Sequence, residues 1–359
     1  MYPSTGRGRE IVCEHRYHMR TGSDLSASGV VWDVHAHYLP ESALPKMGQG
    51  QVQVGTGTVN GIADSITVNG MAVGATVQQL ADIGAIVEAT DQARIDRRVL
   101  SPPPFTYRYW DDADKSADLA RLLNDATARA VEAYPGRFVG LATVALQDTN
   151  TAIAELIRAR EELGLSGVTL GTNVAGGNVS DEVRLPFLAE VSESGMPLLI
   201  HPDFFPNSRT ADYYLINVLG MPVESAITMA NMIFSGLFDR FPGLRVCFVH
   251  GGGVAPYLLG RWDKGWRVRP EAQVDIARQP SDYLENIYCD TLTHSPQALS
   301  YLVEVMGHRN VVIGTDLPFD VEDPDPRGHI RKVPGLTQEQ IEVIETVSPV
   351  RWLTGKDPA

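Results

Sequence analysis

Two histidines separated by one residue, His35 and His37, end an apolar run that begins at Val31. The run meets Pro40 shortly afterwards, which is typical of a short buried strand that leads into a loop. On a strand alternate side chains point the same way, so the two imidazoles and the carboxylate of Asp33 are expected to share one face. Two neutral imidazoles on one face can bind one metal ion. The alternative is a pair of surface histidines near a turn.

Polar side chains also follow later apolar runs, at the positions where each run ends. His201 ends the run at 197–201, and Asp316 ends the run at 311–316. Together with His35 and His37 they offer three imidazoles and one carboxylate. This set suits zinc or a similar divalent ion and leaves a position for water or substrate. Each residue alone indicates little, because an aspartate after a strand is often a helix N-cap. The prediction of a metal site depends on all four residues lying at the same structural position, the end of a predicted strand.

His250 ends the run at 244–250 and precedes three glycines. Histidine titrates near neutrality, so this side chain could move protons beside a metal, and it could also be a fifth ligand. The glycines would let the backbone approach a ligand closely, although a plain turn also uses them. Asp290 lies at the end of the next run, 286–291, and His294 follows closely behind it. Both could line a pocket, which makes His294 a candidate substrate contact, but a helix N-cap and a surface histidine are the structural alternatives.

The elements that would position these residues alternate between apolar runs and amphipathic segments. With the opening run they make about eight β-α units, which predicts an α/β fold, a distorted TIM (β/α)8 barrel. Catalytic residues of such a barrel lie at the C-terminal ends of its strands. A doubly wound sheet is the alternative, but no glycine-rich dinucleotide motif follows the first run. The later predicted strands are 98–101, 138–146, 167–171, 197–201, 244–250, 286–291 and 311–316, and the predicted helices are 115–134, 149–163, 181–194, 223–241, 256–268, 296–306 and 338–347.

Two segments fall outside the barrel pattern. Residues 41–75 are rich in Gly, Val and Thr, and their alternation around Asn69-Gly70 predicts a two-residue hairpin turn. We therefore expect a small β-hairpin insertion after strand 1, over one end of the barrel. Residues 1–29 are polar and show no periodicity, which predicts a mobile N-terminal extension. The remaining residues, 30–359, are expected to form the barrel domain.

Overall composition restricts the functional classes. The chain has 359 residues and a formal net charge of −14, so its overall field does not favour nucleic acid or anionic membranes. No apolar run is long enough for a signal peptide or a transmembrane span. The three cysteines form no disulfide framework or zinc pattern. These absences predict a protein of the reducing cytoplasm.

The fourth predicted strand bears on the number of metal ions. Barrel hydrolases with two metals usually need a bridging carboxylate there, often a carbamylated lysine. Residues 167–173 contain no Lys, Asp or Glu, and no lysine occurs between Lys115 and Lys264. The sequence therefore favours one metal ion over two.

At these residues the chain resembles the amidohydrolase superfamily, and within it the branch of α-amino-β-carboxymuconate-ε-semialdehyde decarboxylase. The resemblance runs from about residue 31 to the end of the chain. Each motif alone is unspecific, but the set is specific to this branch. The motifs are DVHAH at 33–37, IHP at 200–202, FVHGGG at 248–253 with PY at 256–257 and GR at 260–261, and GTDLPF at 314–319.

The resemblance implies a TIM-like barrel with one divalent metal, Zn²⁺ or alternatively Mn²⁺, held by His35, His37, His201 and Asp316. It implies that His250 is the acid/base that activates water at the metal. It further implies that Arg261 reaches a neighbouring subunit to hold a substrate carboxylate, which would make a homodimer or higher homo-oligomer the active unit. By its sequence context alone, Arg261 is an ordinary exposed helix residue.

The chain departs from that branch where a second arginine would bind another substrate carboxylate. The matching region, residues 81–88, contains none, which argues against a dicarboxylate substrate. Instead, a Pro-rich aromatic loop with Phe105 ends the second strand, and Phe204 follows His201. Both would suit a flat apolar or aromatic ring, although aromatic side chains on a lid could simply pack against the loop.

Three functions remain in competition. The first is non-oxidative decarboxylation of an aromatic or conjugated unsaturated carboxylic acid, a small-molecule substrate, with His250 and the Asp316 carboxylate handling the proton that replaces carbon dioxide. The second is hydrolysis of a lactone, amide or related bond by hydroxide at the metal. The third is a barrel scaffold whose chemistry has lapsed, which the full set of ligands argues against. For Asp33, orientation of a ligand histidine and strand capping are both open roles.

Overall fold

The computed structural model describes residues 25–48, 53–203 and 208–359. Of the predicted N-terminal extension, residues 1–24 lie outside the described residues. So does Phe204, the candidate substrate contact after His201. No helix of the described part is both long and apolar enough to cross a membrane.

Eight parallel strands form the central barrel in the described part of the chain, in the order in which they occur in the sequence. The backbone N–H of Val34 donates to the carbonyl of Ile313 over 2.8 Å, and Ala36 bridges to Leu317, so the first and last strands meet. This closure confirms the predicted TIM barrel. The strands are Trp32–His37, Arg97–Ser101, Phe138–Ala142, Gly167–Leu170, Leu198–Ile200, Val246–Phe248, Ile287–Asp290 and Val311–Val312.

Helices follow the strands and cover the outside of the barrel. The α-helices are Leu44–Met47, Val77–Ala81, Ile83–Gln92, Ala113–Ala133, Thr149–Glu161, Leu185–Ser194, Met221–Phe234, Leu237–Arg240, Ala255–Val268, Pro296–Met306, Pro326–Ile330, Gln338–Glu342 and Ser348–Thr354. The predicted helix at 223–241 is interrupted after Phe234, because Gly236 takes a left-handed conformation with φ 70°. The predicted helix at 338–347 continues through a π-helical turn, Val343–Val347.

Apolar side chains fill both faces of the strands, as expected for parallel strands with helices outside. One buried cluster joins side chains from several strands, including Leu199 and Val312, to Trp352 of the C-terminal helix. Arg245, just before the sixth strand, donates to the carbonyl of Trp352 over 2.7 Å. The C-terminal helix therefore closes the end of the barrel where the strands begin, and the opposite end remains for a site.

The predicted insertion is a three-stranded antiparallel sheet of Val54–Val59, Ile62–Val68 and Met71–Thr76. The hairpin at Asn69-Gly70 is confirmed: both residues have positive φ, 49° and 80°, as a type I′ turn requires. The first strand of the sheet was not predicted, although Asn60-Gly61 forms a second turn of the same kind, with φ 51° and 83°. That second Asn-Gly pair is the sequence signal that could have indicated the extra strand.

The hairpin turn gives a test of the insertion. In Gly70→Ala the new methyl group meets no neighbour, but the positive φ costs about 1 kcal/mol in an L-residue. We expect faster amide hydrogen exchange across the two hairpin strands. Gly57→Ala is the matched control, because its methyl group also enters open space and its φ is not positive. Equal exchange in the two variants would contradict the assigned turn.

Candidate active site

The four predicted metal ligands come together at the C-terminal ends of the strands. His35 and His37 lie on the first strand, His201 directly follows the fifth, and Asp316 follows the eighth. One ligand atom of each residue lies within 4.8 Å of the others, and all four residues are buried. The barrel therefore gathers into one cluster four side chains that the sequence separates by up to 281 positions (316 − 35).

The carboxylate of Asp316 is the centre of this cluster. Its Oδ1 lies 3.1 Å from Nε2 of His35, 3.0 Å from Nε2 of His37 and 3.9 Å from Nε2 of His201. The three imidazole rings are mutually edge-on, with centroids 5.0–5.1 Å apart. Three Nε2 atoms and one carboxylate oxygen thus face a common point.

The Nδ1 atom of each ligand histidine faces away from that point, toward a partner. Nδ1 of His35 lies 2.8 Å from Oδ2 of Asp290, and Nδ1 of His201 lies 2.8 Å from the carbonyl oxygen of Pro202. Ser101 Oγ lies 3.4 Å from Nδ1 of His37. Such partners fix the tautomer and the ring orientation of metal-binding histidines.

The donor set fits a divalent metal ion. The Nε2 atoms of His35 and His201 are buried, and neither makes a hydrogen bond of normal geometry to any of the described residues, although the Asp316 carboxylate is close to both. Buried polar atoms without partners are costly, and a cation would satisfy both. Three imidazoles with one carboxylate suit a borderline ion such as Zn²⁺. His35, His37, His201 and Asp316 are therefore the residues that would hold it.

Burial and the neighbouring charges shift the pKa values of the four cluster residues in different directions. Burial lowers the pKa of His37, and it lowers that of His201 to about 3, which keeps these rings neutral. Burial also disfavours the charged form of His35, but the Asp316 and Asp290 carboxylates outweigh it and raise the pKa to about 10. Burial opposes ionisation of Asp316 as well, yet His35 and the other imidazoles hold its pKa well below the ordinary value.

His250 stands beside this cluster rather than within it. Its Nε2 lies 3.4 Å from Oδ2 of Asp316, the oxygen opposite to the one that faces the other histidines. Its ring centroid is 5.0 Å from that of His201, and 15% of its side chain is exposed. An imidazole with one side on a buried carboxylate and the other toward solvent can exchange protons with both.

Asp316 and His250 have strained backbones. The φ of Asp316 is 62° and that of His250 is 56°, a region that residues other than glycine rarely occupy. Such conformations cost about 1–3 kcal/mol and persist when the surroundings enforce them, often at functional sites. For Asp316, part of the enforcement is a hydrogen bond from its backbone N–H to the carbonyl of His35, at 2.9 Å.

A mostly apolar cleft opens over His201, His250 and Asp316. The predicted substrate contact Phe105 lines it, as does Phe319 from the loop after the eighth strand. The insertion contributes one wall with residues 71–73. Sequence reasoning missed a second group of lining residues from the segment around the π-helix Ile216–Gly220: Tyr214, Ile216, Asn217 and Met221.

The remaining candidates occupy different places. His294 is exposed and lines a neighbouring groove that also reaches His250 and Asp316. Arg261 is exposed on the helix Ala255–Val268 and lines neither cavity of its own chain. Asp290, for which an N-cap was an alternative, instead contacts His35 and accepts the backbone N–H of Gly251 over 2.8 Å.

Asp33 does not share the histidine face as the simple alternation predicted. The register of the first strand shifts between Asp33 and Ala36. The carboxylate of Asp33 pairs with Arg98, accepts the hydroxyl of Thr315 over 2.6 Å and accepts the backbone N–H of His35 over 3.0 Å. The Asp33 carboxylate therefore contacts the backbone of His35, whereas the His35 ring contacts the carboxylate of Asp290.

Comparison with known proteins agrees with this geometry. The sequence model of a family described as amidohydrolase matches residues 32–344. The chain belongs to this amidohydrolase family. It is 36% identical over 271 residues to a 2-amino-3-carboxymuconate-6-semialdehyde decarboxylase of Dictyostelium discoideum, covering 75% of this chain and 73% of that protein.

Solved structures of this amidohydrolase fold are also similar. The chain superposes on the 5-carboxyvanillate decarboxylase LigW from Sphingomonas paucimobilis with a TM-score of 0.77 and 25% identity, covering 91% of this chain and 99% of that one. The 5-carboxyvanillate decarboxylase from Novosphingobium aromaticivorans, solved in complex with manganese and a nitrobenzoic acid, gives a TM-score of 0.75 at 21% identity, covering 92% and 98%.

The first expected outcome concerns metal content. Elemental analysis of the purified protein should give about one divalent ion per chain, and Asp316→Ala should lose it, because the central carboxylate is removed. Two ions per chain would contradict the mononuclear site inferred from the fourth strand. A wild-type protein that was never exposed to a chelator and contains no metal would contradict the site itself.

A second outcome concerns Asp290. Asp290→Asn retains the shape of the side chain but weakens its hold on His35, so metal affinity should fall about 10- to 100-fold. Competition with a chromogenic chelator measures this. Glu345→Gln is the matched control, because Glu345 is also buried but pairs with Arg327 and Arg331. Equal affinities in both variants would show that Asp290 does not support the ligand.

Proposed function

We propose that this protein is a metal-dependent decarboxylase that releases carbon dioxide non-oxidatively from an aromatic or conjugated unsaturated carboxylic acid. The observation that carries the proposal is the position of His250, which lies within hydrogen-bonding reach of Asp316 and lines an apolar cleft. Two of the decarboxylases to which the chain is similar are named for such acids. One is named for the aromatic acid 5-carboxyvanillate and the other for a conjugated unsaturated acid, 2-amino-3-carboxymuconate-6-semialdehyde.

The resident ion is proposed to be one Zn²⁺, with Mn²⁺ as the alternative. When bound, it would act as a Lewis acid that binds substrate oxygens and stabilises the negative charge that develops on them. The ligands His35, His37, His201 and Asp316 would hold it. Buried partners such as Asp290 keep the ligand rings in place, so the site would need little reorganisation during the reaction.

His250 is the proposed acid. The substrate carbon that bears the carboxylate accepts a proton from His250, the bond to the carboxylate then breaks, and its electron pair restores the conjugated system as carbon dioxide leaves. Asp316 Oδ2 lies 3.4 Å from Nε2 of His250, and this contact would orient the imidazole toward the cleft. His250 regains its proton from solvent, to which it is partly exposed.

The cleft favours a flat substrate with few charges. Phe105, Phe319 and the wall at residues 71–73 offer apolar surface, and no arginine or lysine lines the cleft in the described part of the chain. A second substrate carboxylate would therefore meet no arginine or lysine among the described residues that line the cleft. We propose that Arg261, exposed on its helix, reaches into a second copy in a homodimer or higher homo-oligomer and holds the substrate carboxylate there.

The function is tested by assaying carbon dioxide release from hydroxybenzoates and muconate-type acids with Zn²⁺- or Mn²⁺-loaded protein. In His250→Asn we expect the rate to fall about 10²- to 10⁴-fold while metal content is unchanged, since only the proton donor is lost. His308→Asn is the control, because His308 accepts a hydrogen bond from the Ser348 hydroxyl through its backbone carbonyl, which the substitution retains. Ester or amide cleavage without carbon dioxide release would favour the hydrolase alternative.

A further inference from the structure

Behind the metal cluster, on the side of the first strand that faces the helix Ile83–Gln92, lies a buried arginine. Arg98 is 1% exposed and is paired in register with Asp33 across the first two strands. Its Nε donates to Thr90 Oγ1 of that helix over 2.9 Å, and its Nη1 donates to Asp33 Oδ2 and, over 2.8 Å, to Thr315 Oγ1. A buried cation with three partners is costly to assemble and sensitive to the loss of any one.

The partners of Arg98 lead directly to two metal ligands. Asp33 Oδ1 accepts the backbone N–H of His35 over 3.0 Å. The Thr315 hydroxyl donates to Asp33 Oδ2 over 2.6 Å and accepts the backbone N–H of Leu317 over 3.3 Å. Thr315 and Leu317 flank Asp316, so the network holds the peptide units on both sides of that ligand.

Asp316 needs this support because its backbone is strained. With φ 62° it would relax to another conformation unless its neighbours were fixed. The first strand, which carries His35, and the segment after the eighth strand, which carries Asp316, also meet here, at the closure of the barrel. The distance between the two ligands therefore depends on how the first and eighth strands are joined, and Arg98 with Asp33 and Thr315 joins them.

We propose that Arg98 is a positioning residue of the metal centre. Its guanidinium fixes Asp33 and Thr315, and these fix the backbones of His35 and Asp316 at the spacing that a divalent ion requires. The inference rests on the metal centre of the proposed function but not on the reaction catalysed there. A lysine could not replace it, because one ammonium group on a flexible stem lacks the planar fork that reaches Thr90, Asp33 and Thr315 together.

The test is metal affinity, measured by chelator competition with Zn²⁺ and with Mn²⁺ below the unfolding temperature. Arg98→Gln should bind at least 10-fold more weakly, and Arg98→Lys should not restore binding. The visible spectrum of the Co²⁺-substituted protein, which reports ligand geometry, should also change. Arg245→Gln is the control, because Arg245 bonds backbone carbonyls at the opposite end of the barrel and should leave both readouts unchanged.

Thr315→Val provides an independent route if Arg98→Gln does not fold. It removes the hydroxyl that links Asp33 to the peptide after Asp316 and keeps the Arg98–Asp33 pair, so we expect about threefold or greater loss of affinity. Folded variants with wild-type affinity and an unchanged Co²⁺ spectrum would overturn the proposal. A wild-type protein that binds metal but releases no carbon dioxide would reject the proposed function and leave this inference standing.

Discussion

A single buried carboxylate, that of Asp316, imposes the main electrostatic constraint on this site. Four imidazoles lie around it, and its two oxygens face different groups: Oδ1 faces the three ligand histidines and Oδ2 faces His250. A buried charge must be paired, which for Asp316 means either protonated histidines or a metal ion. Asp290 adds a second buried carboxylate to the same histidine cluster. This excess of negative charge makes the cluster a cation site.

The groups that surround the Asp316 carboxylate come together where the first and eighth strands close the barrel. The first strand carries His35 and His37, and Asp316 follows the eighth strand, so three of the four ligands come from the two strands that complete the ring or from the segment directly after them. Folding of the barrel and assembly of the site are therefore coupled: a barrel that failed to close would separate the central carboxylate from two of its imidazoles. The fifth strand contributes His201 from across the ring, which further ties the site to the complete barrel.

The sequence predicted the parts of this arrangement that follow from local position. His35, His37, His201 and Asp316 were identifiable because each ends an apolar run, and a closed parallel barrel brings all strand ends to one rim. The placement of Asp33 was wrong because a register shift breaks the alternation of the first strand. The contact of Asp290 with His35 could not be predicted, since a pairing across 255 positions depends on strand order and ring orientation. The wall around Asn217 was missed because a π-helical segment has no simple apolar period.

The side chains proposed to act in catalysis and the residues that form the cleft walls come from different parts of the fold. The groups proposed to act in catalysis lie on strand ends and next to them, where buried partners on neighbouring strands hold them within narrow limits. The walls of the cleft come instead from the inserted sheet and from the segment before the helix Met221–Phe234, neither of which belongs to the barrel strands. Changes in these walls could alter the shape of the cleft without moving the histidine cluster. The elements that form the cleft walls and those that hold the histidine cluster are thus different, although both border His250 and Asp316.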